Sequence, residues 1–112
     1  MRAALLRAAG AVAAALATLC CAAPAAAQDA AAGRAKAQAC AVCHGPVGLS
    51  VTPDAPHLAG QPAIYLSTQL RAYRDGTRKH EVMAVMAKPL SNDDIALLAA
   101  WYSSIRIEAT PP

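Results

Sequence analysis

The chain has 112 residues and a formal net charge of +3, and 56% of its residues are hydrophobic, yet much of that share is alanine, with no Phe and a single Trp. So small a charge makes no electrostatic case for nucleic acid or an anionic surface as partner. The scarcity of large apolar side chains excludes a sizeable core of the chain's own.

Arg2 and Arg7 form a short positive head, Ala8 to Leu19 is a run of mostly small apolar residues, and Ala25-Ala26-Ala27 offers an exit before Gln28. This order predicts a cleavable secretory signal peptide over residues 1–27 and a periplasmic location. The Ala-rich run is broken at Pro24 and no stop-transfer pattern follows, so the mature chain is not expected to insert into the membrane. Cys20 and Cys21 are each preceded by a residue larger than a lipoprotein signal takes, and leave with the signal. Arg2 and Arg7 are too far apart for a twin-arginine signal, which implies export unfolded and a cofactor added afterwards.

Removing 27 of 112 residues leaves a domain of 85, residues 28–112, and the loss of two arginines lowers the charge from +3 to +1. A domain of this size buries only about 60 to 65% of the surface of its unfolded chain. Disulfides, a metal or another cofactor commonly compensate, and here just two cysteines remain after the cut.

Along the domain, Ala30 to Ala39 is rich in strong helix formers, with Asp29 as predicted N-cap, so a first helix runs directly into Cys40. Residues 45–62 carry four prolines and three glycines and are predicted to be loop. A second helix is predicted from Pro62 to Gly76, with Ile64, Tyr65, Leu66, Leu70 and Tyr73 at helical spacing. Thr77 to Leu90 holds every methionine except the first and is expected to be mainly irregular. In the last helix Ser91 and Asp94 resemble a capping box, and Ile95, Leu98, Tyr102 and Ile105 form a stripe widened by Leu97 and Trp101. No segment alternates apolar and polar residues for long, which favours an all-α fold.

Cys40-Ala41-Val42-Cys43-His44 is a C-x-x-C-H run, the pattern of c-type haem attachment. Cysteines three apart at a helix end share one face, so both sulfurs reach one porphyrin edge while the following imidazole turns to the iron. One haem is then held by two thioethers, with His44 as its proximal ligand. Three other readings compete. A disulfide between such near neighbours closes too small a loop to stabilise much. A thioredoxin-like pair belongs between a strand and a helix. Zinc needs a fourth ligand, for which His57 and His80 lie at unusual spacings.

The far side of the iron has three candidates in His80-Glu81-Val82-Met83-Ala84-Val85-Met86. A thioether there favours reduced iron and closes the site to small ligands, which describes a carrier. The alternative is that both methionines fill the core.

The chain resembles the class I cytochrome c family, in particular one half of the dihaem periplasmic cytochromes c or their small monohaem relatives. The likeness covers most of Gly33 to Ser104. It is carried by Gly33 seven residues before Cys40, the C-x-x-C-H run, Pro56-His57-Leu58-Ala59-Gly60-Gln61, Tyr65-Leu66 with Gln69-Leu70, and Met83 through Leu90-Ser91 into the last helix. The resemblance implies a cytochrome c fold, with crossed N- and C-terminal helices and a middle helix around covalent haem c. It implies Met83 as sixth ligand ahead of Met86 and His80. It also implies that the Pro56 carbonyl accepts from His44 Nδ1–H, and that Gly33 lets the first helix approach the last at Trp101. Three residues depart from the family pattern: Glu81 in place of a proline, Val85 in place of a glycine, and Leu49 where Asn often follows the loop glycine.

The expected function is single-electron transfer between redox protein partners, with no catalytic residue. A haem enzyme or gas sensor with an open sixth site is the rival, and a haem subunit of a larger dehydrogenase is a third reading. Arg71, Arg74, Arg78, Lys79 and His80 form a basic cluster that suits either a docking face or a solvated helix surface.

Overall fold

The computed structural model describes residues 24–112, which form five α-helices and no strand among them. The expected signal peptide and its two cysteines lie mainly outside the described residues. Helix α1 spans Ala25–Lys36, α2 Ala41–His44, α3 Ala63–Asp75, α4 Glu81–Ala87 and α5 Asn92–Ser104. No described helix is long and apolar enough to cross a membrane.

Helix α1 begins after Pro24, so Asp29 lies inside it and does not cap it as expected. Ala25, Ala26 and Ala27 are strong helix formers and extend the helix backwards past the aspartate. At the other end a single 3₁₀ turn, Ala37–Ala39, tightens the chain before the cysteines.

Helices α1 and α5 pack together, with α3 against α5 and α4 against α3. The α1–α5 crossing depends on Gly33: a Cβ there would lie 2.8 Å from Trp101 Cβ and closer still to the Leu97 carbonyl. Lys36 Nζ adds an ion pair to Asp94 Oδ1 at 2.6 Å. That lysine and the Ser91 capping bonds hold the Asp94 carboxyl down to about 2. Helix α5 starts with the predicted capping box, Asp94 N–H donating to Ser91 Oγ at 3.0 Å and Ser91 N–H to Asp94 Oδ2 at 2.9 Å.

The core is small, as the composition requires. Ala37, Leu66, Leu98, Ala99 and Tyr102 are its buried centre, with Cys40, Leu58, Leu70, Leu90, Trp101 and Ile105 packed around it. On α5 Ile95, Leu98 and Tyr102 are buried as expected while Ile105 follows the helix and is partly buried, but on α3 Ile64 and Tyr65 face outwards and Leu66 and Leu70 carry the contact. Gly76 ends α3 in the left-handed region at φ 81°.

The expected irregular segment holds a helix. Residues 81–87 form α4, capped by His80, whose Nδ1 accepts from Met83 N–H at 3.2 Å. Two departures from the family pattern suit this helix. Glu81 occupies its first turn, where the helix dipole favours a carboxylate, and Val85 lacks the helix-weakening freedom of a glycine.

Candidate functional site

The cysteine segment is built from the end of the α1 rod. The N–H groups of Cys43 and His44 both reach the Cys40 carbonyl, at 3.3 and 3.0 Å, winding the five residues into one turn of helix. Cys40 and Cys43 are half-buried and not joined to each other. Burial pushes the Cys40 thiol up, against a weaker opposing influence of Tyr102. A helix precedes the pair and no strand occurs among the described residues, so the thioredoxin-like reading lacks its strand–helix setting.

His44 is buried at the end of α2. Its Nδ1 lies 2.8 Å from the carbonyl oxygen of Pro56. A carbonyl can only accept, so Nδ1 carries the proton and Nε2 is left with a free lone pair. Such a bond fixes the imidazole tautomer and orientation and makes the ring a better ligand.

The long loop exists to place that carbonyl. Gly45 turns the chain at φ 78°, with Leu49 backbone where a side chain would sit. The Gly48 carbonyl then accepts from both Leu58 and Ala59 N–H, at 2.7 and 3.1 Å, closing the loop on itself. Ser50 N–H donates to His57 Nδ1 at 2.7 Å, and Ser50 Oγ to the Cys43 carbonyl at 3.2 Å. Leu49 contributes backbone while its side chain is exposed, so the loop tolerates Leu in place of Asn.

Across the core, a cleft is lined by Cys40, Leu70, Leu90 and Leu98 together with both Met83 and Met86. The structure thus brings Cys40 and both methionines to one apolar cavity, and separates them from His80. His80 is exposed and uses Nδ1 as a helix cap. His57 likewise uses its Nδ1 on backbone, and no group of three His, Cys, Asp or Glu side chains able to hold a metal ion occurs among the described residues. The zinc reading has no ligand set there. Met83 is half-buried, whereas Met86 is 39% exposed.

This donor set fits haem. Cysteines on one helical turn, an imidazole with a free Nε2, thioether sulfurs in an apolar cleft and a thin core all suit a flat hydrophobic macrocycle with a metal at its centre. A further sign is an orphaned donor, the buried Tyr102 hydroxyl, which has no partner among the described residues.

Two roles were not readable from sequence. Arg74 belongs to the basic cluster by position, yet its guanidinium donates to the Leu90 carbonyl at 3.0 Å and ties α3 to the segment following α4. Arg78 lies over the Tyr73 ring at 4.7 Å and donates to Gln69 Oε1 at 2.6 Å. Arg71 and Lys79 remain exposed.

An all-helical domain with a covalent attachment motif and a preset imidazole defines a c-type haem protein. The family model described as Cytochrome c matches residues 30–106. The chain belongs to the cytochrome c family, whose members are electron-transfer proteins holding c-type haem covalently. It is 49% identical over 81 residues to "Cytochrome c-554(548)" of Halomonas halodenitrificans, covering 70% of this chain and 98% of that one. It is 43% identical over 83 residues to a "Thiosulfate dehydrogenase electron acceptor" of Thiomonas intermedia, covering 72% of this chain and 38% of the relative. Among solved structures it resembles reduced recombinant cytochrome c4 from Pseudomonas stutzeri, with a TM-score of 0.65 and 38% identity over 69% of this chain and 45% of the other. The chain therefore spans nearly all of the first relative and less than half of the other two.

Proposed function

We propose that this protein is a periplasmic carrier of single electrons, and not an enzyme, with haem held by Cys40 and Cys43 and its iron ligated by His44 and Met83. The observation that carries the reading is the 2.8 Å contact from His44 Nδ1 to the Pro56 carbonyl, which presents Nε2 as a ligand on the turn that bears both cysteines. Haem, when bound, supplies the one-electron ferrous–ferric couple.

The chain's own residues do the rest. The α2 turn holds the two sulfurs in register, and the Pro56 carbonyl keeps His44 from rotating. Leu70, Leu90 and Leu98 make the cleft apolar, which disfavours the extra charge of ferric iron. A Met83 thioether on the iron would favour its ferrous form further and would leave no place for oxygen or peroxide. The half-buried setting of Met83 supports it over the more exposed Met86. The partners are redox proteins, and the likeness to an electron acceptor of thiosulfate dehydrogenase supports a dehydrogenase as one class of donor.

The test is a potentiometric titration of the exported, haem-loaded protein, followed by denaturing electrophoresis with haem detection. A reversible one-electron wave and haem that stays with the chain are expected. Haem lost on denaturation, or catalytic consumption of peroxide by the native protein, would contradict the proposal.

A further inference from the structure

Tyr102 is 3% exposed, and its hydroxyl is one of two buried side-chain donors without a hydrogen-bond partner among the described residues. The other is the indole N–H of Trp101, whose ring lies under Arg34 at the α1 crossing. A buried hydroxyl with no acceptor is costly, and a phenylalanine would fill the same space without that cost.

The ring is packed on one side and the backbone that carries it is anchored. Gly48 packs against it so closely that a Cβ would lie 2.8 Å from Tyr102 Cδ1, and the Tyr102 carbonyl accepts from Gly60 N–H at 2.9 Å. The hydroxyl therefore has little freedom to seek a partner elsewhere. Its near neighbour is Cys40, which packs against the buried cluster that contains Tyr102, and the thiol and the phenol each shift the other's ionisation through a side-chain contact that falls short of a well-formed hydrogen bond. A thiol carries its own proton. A thioether does not, and its sulfur can only accept.

We infer that the Tyr102 hydroxyl donates a hydrogen bond to the Cys40 sulfur once that sulfur is bonded to haem, so that Tyr102 is a positioning residue for the attached edge of the macrocycle. The inference rests on Cys40 being an attachment point. A donor at that sulfur draws electron density from the macrocycle edge and favours the reduced form, so losing it lowers the midpoint potential.

The test compares haem-loaded wild type with Tyr102→Phe, after mass measurement on the denatured chains shows that both carry two thioethers. Three changes are expected: a lower midpoint potential, a lower denaturant midpoint, and a thioether C–S Raman band that shifts in D2O for wild type and not for the variant. A variant with two intact thioethers, an unchanged or raised denaturant midpoint and the wild-type Raman response would overturn the inference, because deleting an unpaired hydroxyl is neutral or stabilising. Wild-type protein with haem on Cys43 alone would overturn the assignment of Cys40 and the inference with it.

Discussion

His44 and Pro56 are 12 residues apart, and the loop between them closes so that the imidazole Nδ1–H meets the Pro56 carbonyl at 2.8 Å. The acceptor is backbone, so the bond does not depend on the proline ring. Pro56→Ala should keep haem attachment and the histidine ligand while costing about 0.4–1 kcal/mol, because the unfolded chain gains freedom. Denaturant melts of the haem-loaded variant check this. Loss of the histidine-ligated spectrum would show that the ring itself holds the loop.

Gly33→Ala should destabilise the protein by about 1–3 kcal/mol, since the new methyl meets Trp101 Cβ and the Leu97 backbone and the two helices must part. The denaturant midpoint should fall while the haem stays covalently bound. A variant as stable as wild type would mean that the crossing has slack.

His80→Ala removes the acceptor for Met83 N–H and should cost about 1 kcal/mol, the usual worth of a helix cap. His80→Asn should restore most of it, as asparagine caps well. The sensitive readout is the temperature at which sulfur ligation is lost, which should fall in the alanine variant and recover in the asparagine one.

The capping box of α5 and the stop at Gly76 were legible because each is decided by residues within a few positions of one another. The cysteine turn was legible for the same reason. Helix α4 was not, because it has seven residues, too few for a periodic pattern, and its cap is a histidine. Arg74 looked like surface charge because its acceptor, the Leu90 carbonyl, arrives only when α3 and the later segment pack. The isolation of the Tyr102 hydroxyl is equally a property of packing, since sequence alone reads that residue as one more apolar position on α5.

Stability should depend on acid through Asp94. Its folded-state carboxyl, held down to about 2 by Lys36 and the Ser91 bonds, lies below the ordinary value of 3.8. The contribution is therefore complete above about pH 4 and is lost as pH falls through 2. Asp94→Asn should flatten the fall in denaturant midpoint across that window. Added salt should weaken the Lys36 part of the effect, because the pair is partly exposed to solvent.

Whether Met83 closes the iron is decided by the ferric absorption spectrum with and without carbon monoxide. Wild type and Met86→Ala should both show the weak methionine-sulfur band, and their ferrous forms should not bind carbon monoxide. Met83→Ala should keep covalent haem, lose the band, bind carbon monoxide and have a lower potential. Loss of the band in Met86→Ala with its survival in Met83→Ala would move the ligand to Met86. Strong carbon monoxide binding by the wild type would contradict the carrier account and point to an open sixth site.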